Sequence, residues 1–331
     1  MGRSRRSRRG DEETTVDRIS DALDRAPAGL HDLAEPTGDV PLEWPSELAD
    51  VYFAFDGARL FSEAIVLFPA REVDRDGELL VVGEIGGDAI EVDRSGRVWR
   101  IDEGTGDRVI DGTAFDRWLH GAIDAEALLY DRDGEFAEDV FDEDGEICED
   151  VEVARLRAQL RRDSRAPAPR WRLARISARR GELDRARAEL EEVVANVPDF
   201  SWAWLDLARL SEQLGELGGA YDEAVAAAEA AVRRGDDQVA YFWAQAARLA
   251  ARAGTESDRA QAAARAIAAD PGIVRSQIAG AEQNLADGDV SSARGLAELA
   301  KAVAPRDLGV IDLLRRIEAV AADESGEDST N

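Results

Sequence analysis

The 331-residue chain carries 70 acidic and 41 basic residues, which gives a formal net charge of −29. A chain with this charge repels nucleic acid and anionic membranes and attracts basic proteins. We therefore predict a protein partner, and no direct binding to nucleic acid or to a membrane. One cysteine excludes an intrachain disulfide and a cysteine-based zinc site, and two histidines exclude a three-histidine metal centre. We therefore predict no metal and no cofactor.

The chain begins with a basic arm, residues 1–12, that we predict to be disordered. Residues 1–10 hold five arginines and no acid, whereas residues 11–150 hold 40 acidic and 11 basic residues. Such an arm is most often a solvated chain end. The alternatives are that it contacts RNA, lipid or an acidic partner, or the acidic half of its own chain. The sequence contains no apolar run of the kind that starts a secretory signal or spans a membrane, which favours a cytoplasmic protein.

Residues 13–130 have the pattern of an α+β domain, a small sheet flanked by helices. Residues 45–57 predict an amphipathic helix that ends at a glycine. Six short β-rich runs follow, and residues 88–93 and 97–102 alternate most clearly between apolar and polar side chains. The residues predicted to be buried are Ile90, Val92, Val98 and Ile101. Those predicted to point outward are Glu91, Arg97 and Arg100.

Residues 83–109 are rich in glycine, aspartate and glutamate, a composition that a phosphate-binding or metal-binding loop would also have. No G-x-G-x-x-G leads from a strand into a helix here, because 84–90 leads into another strand. We interpret Gly86 and Gly87 as a turn at a strand end, and residues 93–96 as a hairpin turn.

A second helix is predicted over residues 113–123, capped by Thr113. His120 lies near the predicted end of this helix, where a surface histidine beside the helix dipole is the common explanation. The apolar face should pack on the sheet. Its members are Phe115, Trp118, Leu119 and Ile123.

The order of these elements resembles the SUKH superfamily over residues 41–125. The shared features are the Gly-Gly-Asp at 86–88, the Val-Trp pair at 98–99 and the Phe-x-x-Trp-Leu at 115–119. The resemblance implies a protein-binding module without catalytic residues, used in bacteria to neutralise toxins and in yeast as an interaction hub. The residues that we expect on its partner-binding face are Glu84, Asp88, Glu91 and Trp99.

Residues 131–150 contain eleven acids and one arginine, and are predicted to be an acidic linker. Two Asp-x-Asp-Gly-Glu runs start at Asp131 and Asp142, but the calcium loop that they suggest needs glycine at its sixth place. Phe136 and Ile147 stand there instead, so we interpret both runs as turns. A further hypothesis has this linker, or the acidic tail at 323–331, occupying the repeat groove described below.

Residues 151–322 have helical periodicity with an internal repeat. Gly181 and Gly215 lie 34 residues apart, as do Gly254 and Gly288, and three of these four glycines precede a proline by 17 residues. Small residues stand at or near the fifth position after three of these glycines: Ala186, Ala260 and Ala293. The pattern resembles the tetratricopeptide repeat over residues 167–305, about four units, with a capping helix at 306–322, and predicts an all-α helical solenoid.

The second unit, from Ser201, departs from this pattern. It lacks the terminal proline and carries about four extra residues, which we place at 216–219, so we expect a distorted turn. Its first helix matches the family at Trp204, Leu207 and Ala208, with Trp204 facing the partner helix.

The resemblance to the tetratricopeptide repeat implies a concave groove lined by the first helix of each unit. An acidic peptide could bind there through bidentate arginine contacts. The alternative is that these arginines are solvated or pair with glutamates on neighbouring turns. The expected groove residues are Arg175, Arg179, Trp202, Arg209, Tyr241, Arg248 and Arg252.

Together these features predict a non-catalytic protein-binding protein and not an enzyme. The favoured role is an immunity or antitoxin-like one, in which the acidic module occludes a basic toxin such as a nuclease while the repeats hold a second protein. The alternative is a bacterial scaffold or adaptor without a toxin partner, in a regulatory or envelope-related complex. A remote alternative is an enzyme with an unrecognised carboxylate site.

Overall fold

A computed structural model describes residues 15–27, 29–102 and 106–327, and for Thr15 and residues 323–327 the backbone only. The predicted arm at 1–12 and the last part of the predicted tail, 328–331, lie outside the described residues. The chain divides into two compact units, Met1–Arg180 and Gly181–Asn331. The predicted linker therefore lies inside the first unit and does not separate the two.

The first unit contains an antiparallel sheet with the strand order β1-β2-β3-β5-β6-β7-β8, to which β4 adds by pairing with β5. All six predicted β-rich runs contain a strand. Strands β1 and β4 were not predicted, because three-residue segments such as His-Asp-Leu and Asp-Arg-Asp are too short and too polar to give a strand signal. The bounds are His31–Leu33 (β1), Ala58–Leu60 (β2), Ile65–Leu67 (β3), Asp74–Asp76 (β4), Leu79–Ile85 (β5), Asp88–Val92 (β6), Val98–Ile101 (β7) and Arg108–Gly112 (β8).

Within the described residues, five α-helices complete this unit, and those predicted over residues 45–57 and 113–123 are confirmed as α2 and α3. Helices α1 to α3 bury their apolar faces together with the inner face of the sheet, and the predicted face of α3 is buried as expected. Helix α4 packs on α3, and α5 packs along β8, where it covers an edge of the sheet. The bounds are Thr15–Arg25 (α1), Ser46–Ala54 (α2), Phe115–Glu126 (α3), Glu149–Arg162 (α4) and Pro167–Arg179 (α5).

Three predictions about the sheet surface are wrong. Arg100, predicted to point outward, is only 14% exposed, because its guanidinium lies 3.5 Å from the buried carboxylate of Asp111. Ile101, predicted to be buried, is 44% exposed at the end of β7. Glu91, predicted to point into solvent, is only 4% exposed, because the Arg108 guanidinium lies over it with Nε 2.6 Å from Oε2. Ile90, Val92 and Val98 are fully buried as predicted.

Two predictions about α3 are also wrong. Thr113 does not cap the helix; its backbone N–H and its hydroxyl donate to the Asp163 carboxylate, at 2.5 and 2.8 Å. His120 is not on the surface but 3% exposed, because the helix continues past it to Glu126. Burial lowers the pKa of His120, and the charge of Arg162 lowers it further.

The glycine-rich stretch forms turns, as predicted. Gly86 and Gly87 have φ of +59° and +90° between β5 and β6, and the Asp93 carboxylate accepts from Ser95 and Arg97 N–H in the next turn. Gly83 has a different reason to be glycine. A Cβ at this position would lie 2.0 Å from the carbonyl oxygen of Val66 on the neighbouring strand, where the register of β5 and β6 shifts.

Between residues 181 and 327 the second unit forms eight α-helices. Gly215, Gly254 and Gly288 separate the paired helices with φ between +76° and +85°, and Gly181 has the same conformation before α6. Pro198, Pro271 and Pro305 each stand two residues after a helix end. The bounds are Leu183–Asn196 (α6), Ser201–Gln213 (α7), Leu217–Arg234 (α8), Val239–Ala253 (α9), Glu256–Ala269 (α10), Ile273–Ala286 (α11), Val290–Val303 (α12) and Leu308–Glu327 (α13).

The structure corrects the expected distortion of the second repeat. Residues 216–219 are not an insertion, because Ala220 is buried at the fifth place after Gly215, as Ala186 and Ala293 are after their glycines. The extra length is at the other end: α8 has 18 residues where α6, α10 and α12 have 14. With no proline to end it, α8 runs one turn further to a left-handed Gly235.

In the third repeat the small residue is absent. Arg259 occupies the fifth place after Gly254 and donates to the carbonyl of Ala302 at 2.6 Å, while Ala260 is exposed. Helix α12 accordingly packs on α9 and α10 as well as on α11. The predicted capping helix is α13, which buries Leu313 and Ile317 and continues to Glu327, past the expected end at 322.

Replacing Gly83 by alanine should destabilise the first unit by about 3 kcal/mol or more, because the new Cβ meets rigid backbone. The control is Gly219→Ala inside α8, where nothing lies within 4 Å of the added Cβ. It should be neutral or stabilising by up to about 1 kcal/mol. Urea unfolding monitored by circular dichroism measures both, and equal stabilities would contradict the close approach at Gly83.

The stability of the first unit should fall as the pH is lowered through 6.5. Burial lowers the pKa of His31 and of His120, so below pH 6.5 the unfolded chain takes up protons before the folded one. The slope is at most about 1.4 kcal/mol per pH unit for each histidine. Thermal unfolding between pH 7 and 6 tests this; the second unit, whose sequence has no histidine, is the internal control.

Candidate protein-interaction sites

An aromatic and arginine-rich patch lies on α7 and α9 of the second unit. We define the α7–α9 patch as Trp202, Asp206, Arg209, Glu212, Tyr241, Arg248 and Arg252. The rings of Trp202 and Tyr241 are 5.9 Å apart, and Arg209 Nη2 donates to the Tyr241 hydroxyl at 3.2 Å. Five of the seven predicted groove residues therefore lie together.

Glu212 organises this patch and was missed by the sequence analysis. It accepts two hydrogen bonds from the Arg248 guanidinium, at 2.6 and 2.8 Å, and a further one from Arg252. Burial alone would raise the pKa of Glu212, but the hydrogen bonds and charges of the two arginines outweigh it and hold that pKa below its usual range. The available signal was its position one helical turn after Arg209, on the same face.

The arginines of the patch differ in what they leave to solvent. Arg248 is 15% exposed and bound to Glu212, whereas Arg209 and Arg252 are 46% and 53% exposed. Arg209 also pairs with Asp206 on the neighbouring turn, at 2.8 Å, as the alternative interpretation has it. Arg209 and Arg252 therefore keep exposed side-chain surface that a ligand can contact.

Neither tryptophan of α7 lies as expected. Trp202 is 9% exposed and packs edge to face on Phe242, at 5.0 Å, so it is largely a core residue. Trp204, expected to face the partner helix, is only half-buried and donates its indole N–H to the carbonyl of Pro198.

The remaining predicted groove arginines lie in the first unit. The Arg175 guanidinium stands 5.0 Å from the ring centre of Trp171. Arg179 pairs with Glu149 at 2.9 Å, an exposed pair.

The residues of the predicted SUKH-like face do not share one face. Strand register places Glu84, Glu91 and Trp99 on one side of the sheet and Asp88 on the other. Glu84 is exposed, Glu91 is covered by Arg108, and Trp99 donates its indole N–H to Asp93. Only part of the expected face is therefore open to a partner.

Asp88 belongs to a polar cavity of about 560 Å³ inside the first unit, where its carboxylate lies 3.3 Å from Arg100. Behind it, Asp111 is 1% exposed and accepts a hydrogen bond from the Trp118 indole at 2.9 Å. Burial alone would raise the pKa of Asp111, but the charges of Arg100 and Arg172 outweigh it and keep that pKa below its usual range. Asp111 is therefore ionised and depends on its partners.

The predicted linker is a compact pair of turns. Residues 129–139 and 140–150 are a tandem repeat of eleven residues. In each, an aspartate, Asp131 or Asp142, accepts from the backbone N–H groups two and four residues later. Single bridges join Tyr130 to Phe136 and Phe141 to Ile147. We call residues 130–147 the turn pair.

A metal site is not found in the part of the chain that the structure describes, since no three His, Cys, Asp or Glu side chains converge there. Nor is any described helix both long and apolar enough to cross a membrane.

A family model for the tetratricopeptide repeat matches residues 167–210, which run from the start of α5 into α7. This region is therefore tetratricopeptide-like, as predicted, and the fold class of an α+β unit followed by helical repeats is confirmed. The match does not extend to residues 41–125, so the SUKH resemblance is supported by its motifs alone. No curated protein matches the chain.

Solved structures of repeat proteins show weak similarity. A MamA protein has 16% identity and a TM-score of 0.33, covering 46% of this chain and 80% of its own. PilF of Pseudomonas aeruginosa has 13% identity and a TM-score of 0.36, and the match covers 55% of this chain and 80% of PilF. A tetratricopeptide-repeat protein of Thermus thermophilus has 19% identity and a TM-score of 0.33, and the match covers 52% of this chain and 90% of that protein. Scores this low carry no argument about partners.

Replacing Arg172 by methionine should destabilise the first unit by about 2–3 kcal/mol at pH 7, because Asp111 keeps its buried charge and loses a partner. The control on the same helix is Arg179→Met, whose exposed ion pair should cost less than about 1 kcal/mol. The difference between Arg172→Met and the parent should shrink as the pH falls through the ordinary aspartate range, because Asp111 without Arg172 is protonated at a higher pH than Asp111 in the parent. Urea unfolding at pH 7 and pH 3.5 measures it, and a pH-independent loss would indicate lost packing instead.

Proposed function

We propose that this chain is a non-catalytic protein-binding scaffold whose helical repeats bind an acidic peptide segment of a partner. The observation that carries this is the α7–α9 patch. It carries two arginine side chains that are each about half exposed, Arg209 and Arg252, and Tyr241, whose hydroxyl accepts hydrogen bonds from Arg209 and Gln245. Arginine forks of this kind suit carboxylates, and rigid aromatic rings supply contact area at little entropic cost.

Glu212 prepares the patch for binding. Because it holds Arg248 and Arg252 in place, less side-chain entropy is lost when a ligand arrives. Three arginines against Asp206 and Glu212 leave the patch with a charge of +1 on a chain whose net charge is −29. An acidic ligand is therefore attracted to this place and repelled elsewhere.

The finer proposal gives the first unit an immunity or antitoxin-like role, in which it occludes a basic toxin such as a nuclease. It is supported by the charge of residues 11–150 and by the resemblance of residues 41–125 to the SUKH superfamily. A scaffold or adaptor without a toxin is the competing proposal, supported by the tetratricopeptide match. The acidic field favours fast association with any basic partner in either case.

Binding to the patch can be measured with a fluorescein-labelled hexaglutamate peptide and the full chain. The double variant Arg209→Ala with Arg252→Ala should weaken binding about tenfold, because it removes both half-exposed arginine side chains. The matched control, Arg306→Ala with Arg315→Ala, removes the same charge from exposed positions of the same unit. Equal affinity of both variants would overturn the patch as the binding site.

The partner itself can be identified by affinity capture from the native host followed by mass spectrometry. A stoichiometric, salt-sensitive basic nuclease would support the immunity role, and capture that resists Arg209→Ala with Arg252→Ala would assign it to a surface other than the patch. Recovery of housekeeping or envelope proteins alone would leave the scaffold proposal.

A further inference from the structure

A ladder of aromatic rings leads from the core of the first unit to its surface. Phe61 is buried and stacks on Tyr130, whose ring stacks on Phe136 at 5.0 Å, and Phe136 meets Phe141 edge to face at 5.1 Å. Phe136 and Phe141 are 55% and 39% exposed. Exposed phenylalanines held rigid by their neighbours are a feature of interaction sites.

The surroundings of these rings are strongly acidic. Residues 131–146 contain nine acidic side chains and one arginine, Arg132, and all nine are exposed. Within the described part of the chain, none of the nine forms an ion pair, whereas Glu63, Glu72 and Glu78 elsewhere in the unit pair with arginines. Ring faces beside free carboxylates suit guanidinium groups, which stack on the one and hydrogen-bond to the other.

We propose that the arginine-rich segment at residues 1–10 of this same chain docks on the turn pair. Its guanidinium groups stack on Phe136 and Phe141 and bind the surrounding carboxylates. The segment holds five arginines and no acid, and is the densest basic run in the sequence. The charges of the two segments are therefore complementary, and the rings add a contact that charge alone does not supply.

The segment can reach this surface. Helix α1 ends beside the turn pair, where Arg25, Tyr130 and Asp131 line a common cavity. The 11 residues of α1 span about 16 Å, since an α-helix rises 1.5 Å per residue. The 14 residues before it can span roughly 46 Å when extended. The distance back along α1 is therefore covered with chain to spare.

Docking within one chain gives the surface a built-in competitor. A short tether holds its segment at an effective concentration on the order of 1 mM, so a contact that is weak between separate molecules is populated. A basic partner must displace the segment, and this selects partners that carry more than a few arginines. The inference goes beyond the proposed function, because it does not depend on any partner.

The test uses the full chain, a chain without residues 2–10, and a fluorescein-labelled peptide of the sequence MGRSRRSRRG. The peptide should bind the truncated chain, and bind the full chain about tenfold more weakly, for a dissociation constant on the order of 0.1 mM. Anisotropy titrations at low salt measure both. Equal affinities would show that the segment does not occupy the surface and would overturn the proposal.

Matched variants of the truncated chain locate the site. Changing Asp133 and Asp144 to asparagine and Glu135 and Glu146 to glutamine removes four charges and keeps Asp131 and Asp142, which hold the turns. This should abolish peptide binding. The control removes the same number of charges from exposed positions, Asp32→Asn, Asp39→Asn, Asp50→Asn and Glu35→Gln, and should retain it. Equal losses would indicate a diffuse field and overturn the site.

Two further variants separate the remaining alternatives. Phe136→Leu with Phe141→Leu keeps the charge but removes the rings, and should weaken peptide binding several-fold; unchanged binding would overturn the stacking. In the full chain, Ser7→Cys can form a disulfide with Cys148, the only cysteine, at the end of the second turn. A monomeric product at dilute concentration supports docking within one chain, whereas a dimer would assign the segment to a second copy and overturn it. Circular dichroism confirms folding of each variant.

Discussion

A buried carboxylate, Asp111, sets the arrangement of the first unit. Moving one charge out of water costs several kcal/mol unless partners surround it, and the three partners of Asp111 come from three elements: Arg100 from β7, Trp118 from α3 and Arg172 from α5. The sheet, the helix on its face and the helix at its edge are thus positioned together. Helix α5 belongs to the repeat pattern by sequence, yet this charge holds it in the compact unit of the sheet.

The same rule of compensated charge governs the other sites. Glu91 lies under Arg108, and Glu212 holds Arg248 and Arg252, so carboxylates and arginines that look like surface groups in the sequence are internal partners. The groups that remain available to a partner are those that this pairing leaves exposed. In the second unit these are the exposed arginine side chains of the α7–α9 patch, and in the first unit the carboxylates and rings of the turn pair. Both places combine aromatic side chains with a net charge, positive in the α7–α9 patch and negative in the turn pair.

The repeats show how a regular pattern accommodates local exceptions. Left-handed glycines keep the turns identical, while the helices between them vary in length and in contact. Helix α8, which no proline follows, continues for one more turn. Arg259, which stands where the other repeats have a small residue, donates to a carbonyl near the end of α12. The glycine conformation fixes the turns because few other residues adopt positive φ at low cost, whereas helix length and packing are free to change.

Local rules in the sequence determined most of the elements and the class of the fold. Glycine and proline spacing located the repeats, β-rich runs, two of them clearly alternating, located six strands, and apolar periodicity located the face of α3. Five of the seven expected groove residues lie in one patch, and their role in binding stays a prediction. What the sequence could not determine was the partner of each polar group: Asp88, Glu91, Thr113 and Glu212 all bind residues that are distant in the chain, and His120 is buried. Local propensity depends on a few adjacent residues, whereas burial and ion pairing depend on which distant groups the tertiary structure brings within about 4 Å, and only the folded chain decides that.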